Sequence, residues 1–251
     1  MKFLLGSLVF IYTSMCVFMA FFQEQFIYFP QEASFVEDVE IIKFETEGVV
    51  LSGWVVNPTQ PKALIYYGGN AEKIEDNISF FAETLPAYTV YLVSYRGYGL
   101  STGKPNEENL YQDALHVFDH VKKKHDDINL MGRSLGTGVA TYVGAKRDIS
   151  KIILITPFDS ILNVAEEKFK LLPVSLLLTN RFESSERVQL IKAPVYIFIA
   201  ENDEVISRAR TDSLIEHFNN QYFESIIIKR ARHNNIALFP QYTINIKRIL
   251  N

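Results

Sequence analysis

Three side chains able to pass a proton along a line stand apart in this sequence, each in a short stretch of turn-forming residues. Ser134 lies in Gly132-Arg133-Ser134-Leu135-Gly136, a G-x-S-x-G pattern with the strand-like Ile128-Asn129-Leu130-Met131 before it and the helix-like Gly138-Val139-Ala140-Thr141-Tyr142 after it. A serine on a sharp strand-to-helix turn presents its hydroxyl above a sheet, and the glycines let the turn pack against its neighbours. There the Leu135 amide, at the start of a helix, is free to stabilise an oxyanion. The bland alternative is a small-residue turn with no chemistry. GRSLGTG fits neither phosphate-loop pattern, G-x-x-x-x-G-K-[ST] or G-x-G-x-x-G.

A serine hydroxyl attacks only when a base takes its proton and an acid orients that base. Of five histidines, His116, His120, His125 and His217 fall in helical patterns; a solvated helix face is expected for His116 and His120, and a solvated helix end for Lys122-Lys123-Lys124-His125. His116 and His120 stand four apart, as metal pairs do, but no H-E-x-x-H and no third ligand accompanies them. His233, in Arg-Ala-Arg-His-Asn-Asn, directly follows the last apolar run and is the expected base. The expected acid is Asp203, in Glu201-Asn202-Asp203-Glu204 after the run 195–200; Asp159, after the run 152–155, is its competitor. A second oxyanion donor is expected from the turn Tyr67-Gly68-Gly69-Asn70-Ala71, with the Asn70 amide first and Ala71 next, against a plain glycine turn without a role.

These turns need a frame. Apolar runs rich in β-branched and aromatic residues recur at 39–44, 49–56, 63–67, 89–94, 128–131, 152–156, 195–200 and 225–229. Several are continuous and not alternating, as strands buried on both faces are. Helical patterns at about 71–85, 106–125, 134–147, 207–218 and 236–250 separate the later ones. Such alternation predicts an α/β chain with a mostly parallel sheet flanked by helices. The first two runs, joined at Glu47-Gly48, predict an antiparallel hairpin at the edge. The segment 158–193 breaks the rhythm and reads as an inserted cap, whose leucines at 171, 172, 176, 177 and 178 are too many for an exposed loop. The loop 94–101 reads as structural, its glycines allowing close approach beneath the site.

Residues 3–22 carry no charge, and twenty residues at about 1.5 Å each span the roughly 30 Å core of a bilayer. They are expected to be an uncleaved transmembrane anchor, leaving 30–251 as one domain; a cleaved signal and a buried helix are the alternatives. Lys2 and the terminal amino group precede the span, and no Lys or Arg follows until Lys43, so the positive-inside rule places the domain outside the cytoplasm. The net charge of −4 over 251 residues gives no basic excess for nucleic acid, and one cysteine, Cys16, excludes an internal disulfide or Cys-rich zinc site. An apolar share of 48% with 22% charged residues excludes wholesale disorder.

The chain resembles the alpha/beta-hydrolase superfamily, and within it the membrane-tethered Bem46-like serine hydrolases. The resemblance runs from about Gln25 onward through FIYFP (26–30), YGGNAE (67–72), SYRGYGLSTGKP (94–105), GRSLGTGVA (132–140), PFDS (157–160), AENDEVI (200–206) and HNN (233–235). It implies the alpha/beta-hydrolase fold, with Ser134, Asp203 and His233 as nucleophile, acid and base. Many relatives have a histidine where this chain has Gly68, which changes the polarity beside the oxyanion donor. The combined expectation is a serine hydrolase forming an acyl-enzyme on an ester or thioester, with Asn70 and Leu135 as oxyanion donors and no metal or organic cofactor. The expected partners are a small-molecule or lipid acyl substrate and the membrane, with no nucleic acid. A catalytically silent scaffold that binds a partner or lipid, and a peptidase of the same fold, are the alternatives.

Overall fold

The apolar runs pair into one eight-stranded sheet in a computed structural model that describes residues 2–34, 36–218 and 222–251. The strands are β1 (Glu40–Thr46), β2 (Val49–Val56), β3 (Lys62–Tyr67), β4 (Tyr88–Val93), β5 (Asp127–Arg133), β6 (Lys151–Ile155), β7 (Val195–Ala200) and β8 (Phe223–Ile228). Their order is β1-β2-β4-β3-β5-β6-β7-β8. β2 runs against both its neighbours, and every other pairing is parallel. The edge hairpin turns where expected, with Glu47 and Gly48 both at positive φ, as a two-residue turn matched to strand twist requires.

The continuous apolar runs reflect burial on two faces. Ala63, Ile65 and Tyr67 of β3 join the cluster that includes Phe118 of α3 (Glu107–Lys122) and Val139 of α4 (Leu135–Lys146). Leu64 and Tyr66, pointing the other way, pack with Phe81 of α2 (Ile78–Thr84) and Ile246 of α9 (Pro240–Leu250). Alternate residues of one strand thus feed two cores, and no polar face remains.

Three helices are shorter than their patterns, each for a local reason. Residues 68–73 stay in a loop because the Glu72 carboxylate accepts the Gly69 amide at 2.7 Å, and a 3-10 turn (Ile74–Asn77) then leads into α2. α3 begins where the Asn106 side chain accepts the Asn109 amide at 2.8 Å. It stops at Lys122, ahead of His125, which is buried rather than solvated: its ring nitrogens meet the Tyr91 hydroxyl at 2.9 Å and the Pro61 carbonyl at 3.2 Å. Near the C-terminus Pro240, which has no N–H to donate, separates a 3-10 turn (Ile236–Leu238) from α9.

Between β6 and β7 lie α5 (Ile161–Lys168), α6 (Val174–Leu177) and α7 (Ser184–Val188), where the cap is expected; α8 (Arg208–Glu216) follows β7. Its leucines divide. Leu178 is buried and Leu172 and Leu177 half-buried, so some of the run faces inward as expected, while Leu171 and Leu176 are 84% and 85% exposed. α1 (Lys2–Ile27) contains the one described helix long and apolar enough to cross a membrane, and it runs five residues past the uncharged stretch. Its last turns dock on the cap: Gln23 donates to the Leu177 carbonyl at 3.1 Å and accepts from the Thr179 amide at 2.7 Å, and Tyr28 donates to Asn180 at 2.9 Å. Met1 and the Lys2 side chain, on which the expected topology rests, lie outside the described residues.

Candidate active site

The carboxyl ends of β3, β5, β7 and β8 converge on one point, and the loops leaving them carry the polar groups. Ser134, directly after β5, adopts φ 49° and ψ −118°, a conformation that costs a non-glycine residue on the order of 1–3 kcal/mol. The surroundings enforce it. Its amide donates to the Ile155 carbonyl at 2.9 Å, and its carbonyl accepts from the Thr137 amide and hydroxyl at 2.8 and 2.7 Å. The two flanking glycines are required: a Cβ on Gly132 would come within 2.4 Å of the Gly136 carbonyl oxygen, and one on Gly136 within 2.0 Å of the Tyr67 carbonyl oxygen. The turn therefore presses against both its own helix and strand β3.

Three loops then close a line of hydrogen bonds. His233 Nε2 lies 2.9 Å from Ser134 Oγ, and His233 Nδ1 lies 3.0 and 2.9 Å from the two oxygens of Asp203. The carboxylate can only accept from Nδ1, so the neutral ring carries its proton there and presents the lone pair of Nε2 to the serine hydroxyl. Asp203 also accepts from the amides of Val205 and Ile206 at 2.9 and 2.8 Å, which fixes its direction. The loops that carry Asp203 and His233 are tied to each other by Asn202 N–H to Ala231 C=O at 2.8 Å and Arg230 N–H to Glu201 at 2.7 Å. Ser134, His233 and the Asp203 side chain are all nearly withdrawn from solvent.

Asp159, the competing acid, is buried but occupied elsewhere. Its oxygens accept from the Ser160 amide at 2.8 Å, Asn163 at 2.9 Å and Arg210 at 3.0 Å. It joins the start of the cap helix α5 to α8 and makes no bond to His233.

The loop after β3 brings Asn70 to the cavities beside Ser134. The Gly69 amide is taken by Glu72, so of the amides in this turn it is not the one free to act as a donor. Leu135 is the first residue of α4, so its N–H has no intrahelical acceptor. The loop 94–101 supports this turn from below, as expected: Tyr95 donates to the Gly68 carbonyl at 2.8 Å and Tyr98 to the Asn70 carbonyl at 2.7 Å.

Sequence reasoning gave no separate role to Glu72 and Arg133. Glu72 accepts from Tyr66 and Asn77, both at 2.7 Å, and from Arg133 at 3.0 Å, while Arg133 reaches Asn234 at 3.3 Å. One carboxylate thus couples the turn after β3, the turn after β5 and the histidine loop. Its only local signal is a glutamate three residues beyond Gly69, a common side-chain-to-backbone spacing.

An apolar cavity of about 180 Å³ opens on Ser134 and Leu135. Its walls are Phe158, cap residues such as Val164, Ala165 and Leu178, and, from α1, Met19, Gln23, Phe26 and Ile27. A second cleft at Ser134 is lined by Glu72, Arg133, His233 and Asn234 among others. Of the remaining histidines, His116 is exposed, His120 sets its ring edge-on to Phe44 and His217 ends α8; no group of three potential metal ligands occurs among the described residues.

No protein-family model matches the chain. It is similar to alpha/beta hydrolase domain-containing protein 17C of Xenopus laevis, at 27% identity over 225 residues covering 86% of this chain and 71% of that protein. An uncharacterized protein of Mycobacterium tuberculosis is 28% identical over 213 residues, covering 77% and 74%. Among solved structures, the Pyrococcus furiosus esterase Pf2001 superposes with a TM-score of 0.72 at 19% identity over 89% of this chain and 96% of that one. Est1E of Butyrivibrio proteoclasticus, solved with ferulic acid, gives 0.67 at 18% identity over 83% and 97%. With this sheet order, this turn after β5 and these structural neighbours, the chain has the alpha/beta-hydrolase fold.

Proposed function

We propose that the chain is a membrane-anchored serine hydrolase that cleaves an acyl ester or thioester through an acyl-enzyme on Ser134. The observation that carries this reading is the unbroken line Asp203–His233–Ser134, each link near 2.9 Å and shielded from water. In the reaction, Ser134 Oγ bonds to the carbonyl carbon as its proton passes to His233 Nε2. The carbonyl oxygen takes the negative charge toward the amides of Leu135 and Asn70. Collapse breaks the bond to the leaving group, which takes the proton from His233. Water, deprotonated by the same nitrogen, then attacks the acyl carbon and restores the serine. Asp203 holds the ring and balances the imidazolium formed at each step without itself gaining the proton.

The apolar cavity beside the nucleophile favours an acyl group over a peptide backbone, whose amides would go unpaired there. α1 provides the anchor, and the charge distribution around it favours an N-terminus in the cytoplasm with the catalytic loops across the membrane.

A fluorophosphonate probe tests the chemistry. It should label the wild-type chain at Ser134 and leave Ser134→Ala unlabelled, with ester hydrolysis falling by roughly 10⁶-fold. Labelling retained in Ser134→Ala would assign the nucleophile to another residue.

A further inference from the structure

The cavity at Ser134 does not end there. A second apolar cleft, between α1 and the stretch 167–172, is lined by Met15, Phe18, Phe169, Leu171 and Leu172, and it shares Met19, Phe26, Lys168 and Phe169 with the first. From Ile27 beside Ser134 to Met15 at the outer cleft is twelve residues of helix, about 18 Å. That is the reach of a long extended acyl chain. The path follows the same helix whose exposed, uncharged residues are suited to hydrocarbon.

The cap loop accompanies the helix into that region. Tyr12, in the middle of the uncharged stretch, donates to the Leu171 carbonyl at 3.0 Å. If residues 3–22 span the bilayer, Tyr12 sits roughly 15 Å in from the residue 22 end. Leu171 and Leu176 then project into lipid, which removes the cost of exposing them to water. Lipid also requires backbone groups to find partners, and this loop provides several. Besides the Tyr12 contact, Leu172 N–H reaches the Phe169 carbonyl at 3.0 Å, Val174 N–H the Leu172 carbonyl at 2.8 Å and Leu176 N–H the Pro173 carbonyl at 3.0 Å. Lys168 and Lys170 have long stems that can carry their charges back to the interface.

We infer that the cap loop dips into the bilayer beside α1, and that the cleft between them delivers the long acyl chain of a membrane-resident ester or thioester sideways to Ser134. The anchor is then one wall of the substrate site as well as a tether. This inference rests on the serine-hydrolase reading above, and the test separates the two.

The full chain in phosphatidylcholine vesicles is treated with a hexadecyl fluorophosphonate carrying a diazirine at the far end of the alkyl chain, illuminated and mapped by peptide mass spectrometry. Phosphonylation of Ser134 with cross-links on residues 15–19 or 168–172 is the expected result. Cross-links confined to other parts of the chain overturn the lateral route, as does labelling by a short ethyl probe but not by the hexadecyl one. If neither probe reacts with Ser134, the hydrolase reading itself fails and the route falls with it. In the same vesicles, the double variant Leu171→Glu/Leu176→Glu should lower kcat/KM for a palmitoyl ester at least about tenfold more than for an acetyl ester, since carboxylates resist entering hydrocarbon. An unchanged ratio overturns entry from the membrane.

Discussion

Two buried aspartates follow neighbouring strands of the sheet, and only their donors tell them apart. After β6, Asp159 spends its oxygens on a backbone amide, an asparagine and an arginine, all of which anchor the cap. After β7, Asp203 takes two amides of its own loop and gives its remaining capacity to a histidine ring. A buried carboxylate must be met by donors, and the donors it finds decide its work. Arginine and asparagine have no proton to exchange near neutral pH, so Asp159 can only hold things together. Imidazole has one, so the carboxylate that orients it controls which nitrogen is free for the serine.

The largest effect that separates the two is Asp203→Asn. The amide keeps the shape but favours the wrong tautomer of His233, and kcat should fall by about 10⁴-fold while the melting temperature stays near wild type. Steady-state hydrolysis of a p-nitrophenyl ester measures it; a loss under tenfold would mean that another group orients the ring. Glu72→Gln comes next. The neutral amide weakens the hold on Arg133 and on the Gly69 amide, so the turn after β3 and the serine turn lose their shared support. A kcat lowered roughly tenfold with KM near wild type is expected, because misplacing an oxyanion donor costs the transition state more than the ground state. Asp159→Asn should do least to catalysis, leaving kcat within about threefold. It should instead lower stability by about 1–2 kcal/mol in urea unfolding, as Arg210 loses its buried partner. If Asp159→Asn proved the more damaging to kcat, the two carboxylates would have to exchange roles.

Much of the site was legible because it depends on local order. The strand, the small-residue turn and the helix around Ser134 are consecutive in sequence, and Gly132 and Gly136 are needed for contacts that the turn itself creates. His233 and Asp203 were readable for a related reason: each is a polar residue placed where a buried strand ends, and a parallel sheet brings such ends together. His125 shows the limit. It continues the lysine-rich end of α3 in sequence, but the chain turns and its ring meets Tyr91 of β4 and Pro61 just before β3, which no helical pattern announces.

The sequence by itself determined the fold class, the order along the chain of the turns that carry Ser134, Asp203 and His233, and the long uncharged helix, because these follow from periodicity and short-range sterics. Tertiary structure alone showed what occupies the competing aspartate, since the Ser160 amide, Asn163 and Arg210 meet Asp159 only once the cap and α8 have packed. It also decided what α1 does. Gln23 looks like the polar flank of a membrane span, yet it is buried against the cap and leaves Met19, Phe26 and Ile27 facing Ser134. Those contacts join residues more than a hundred positions apart, and their geometry is set by how the helix and the cap pack on the sheet.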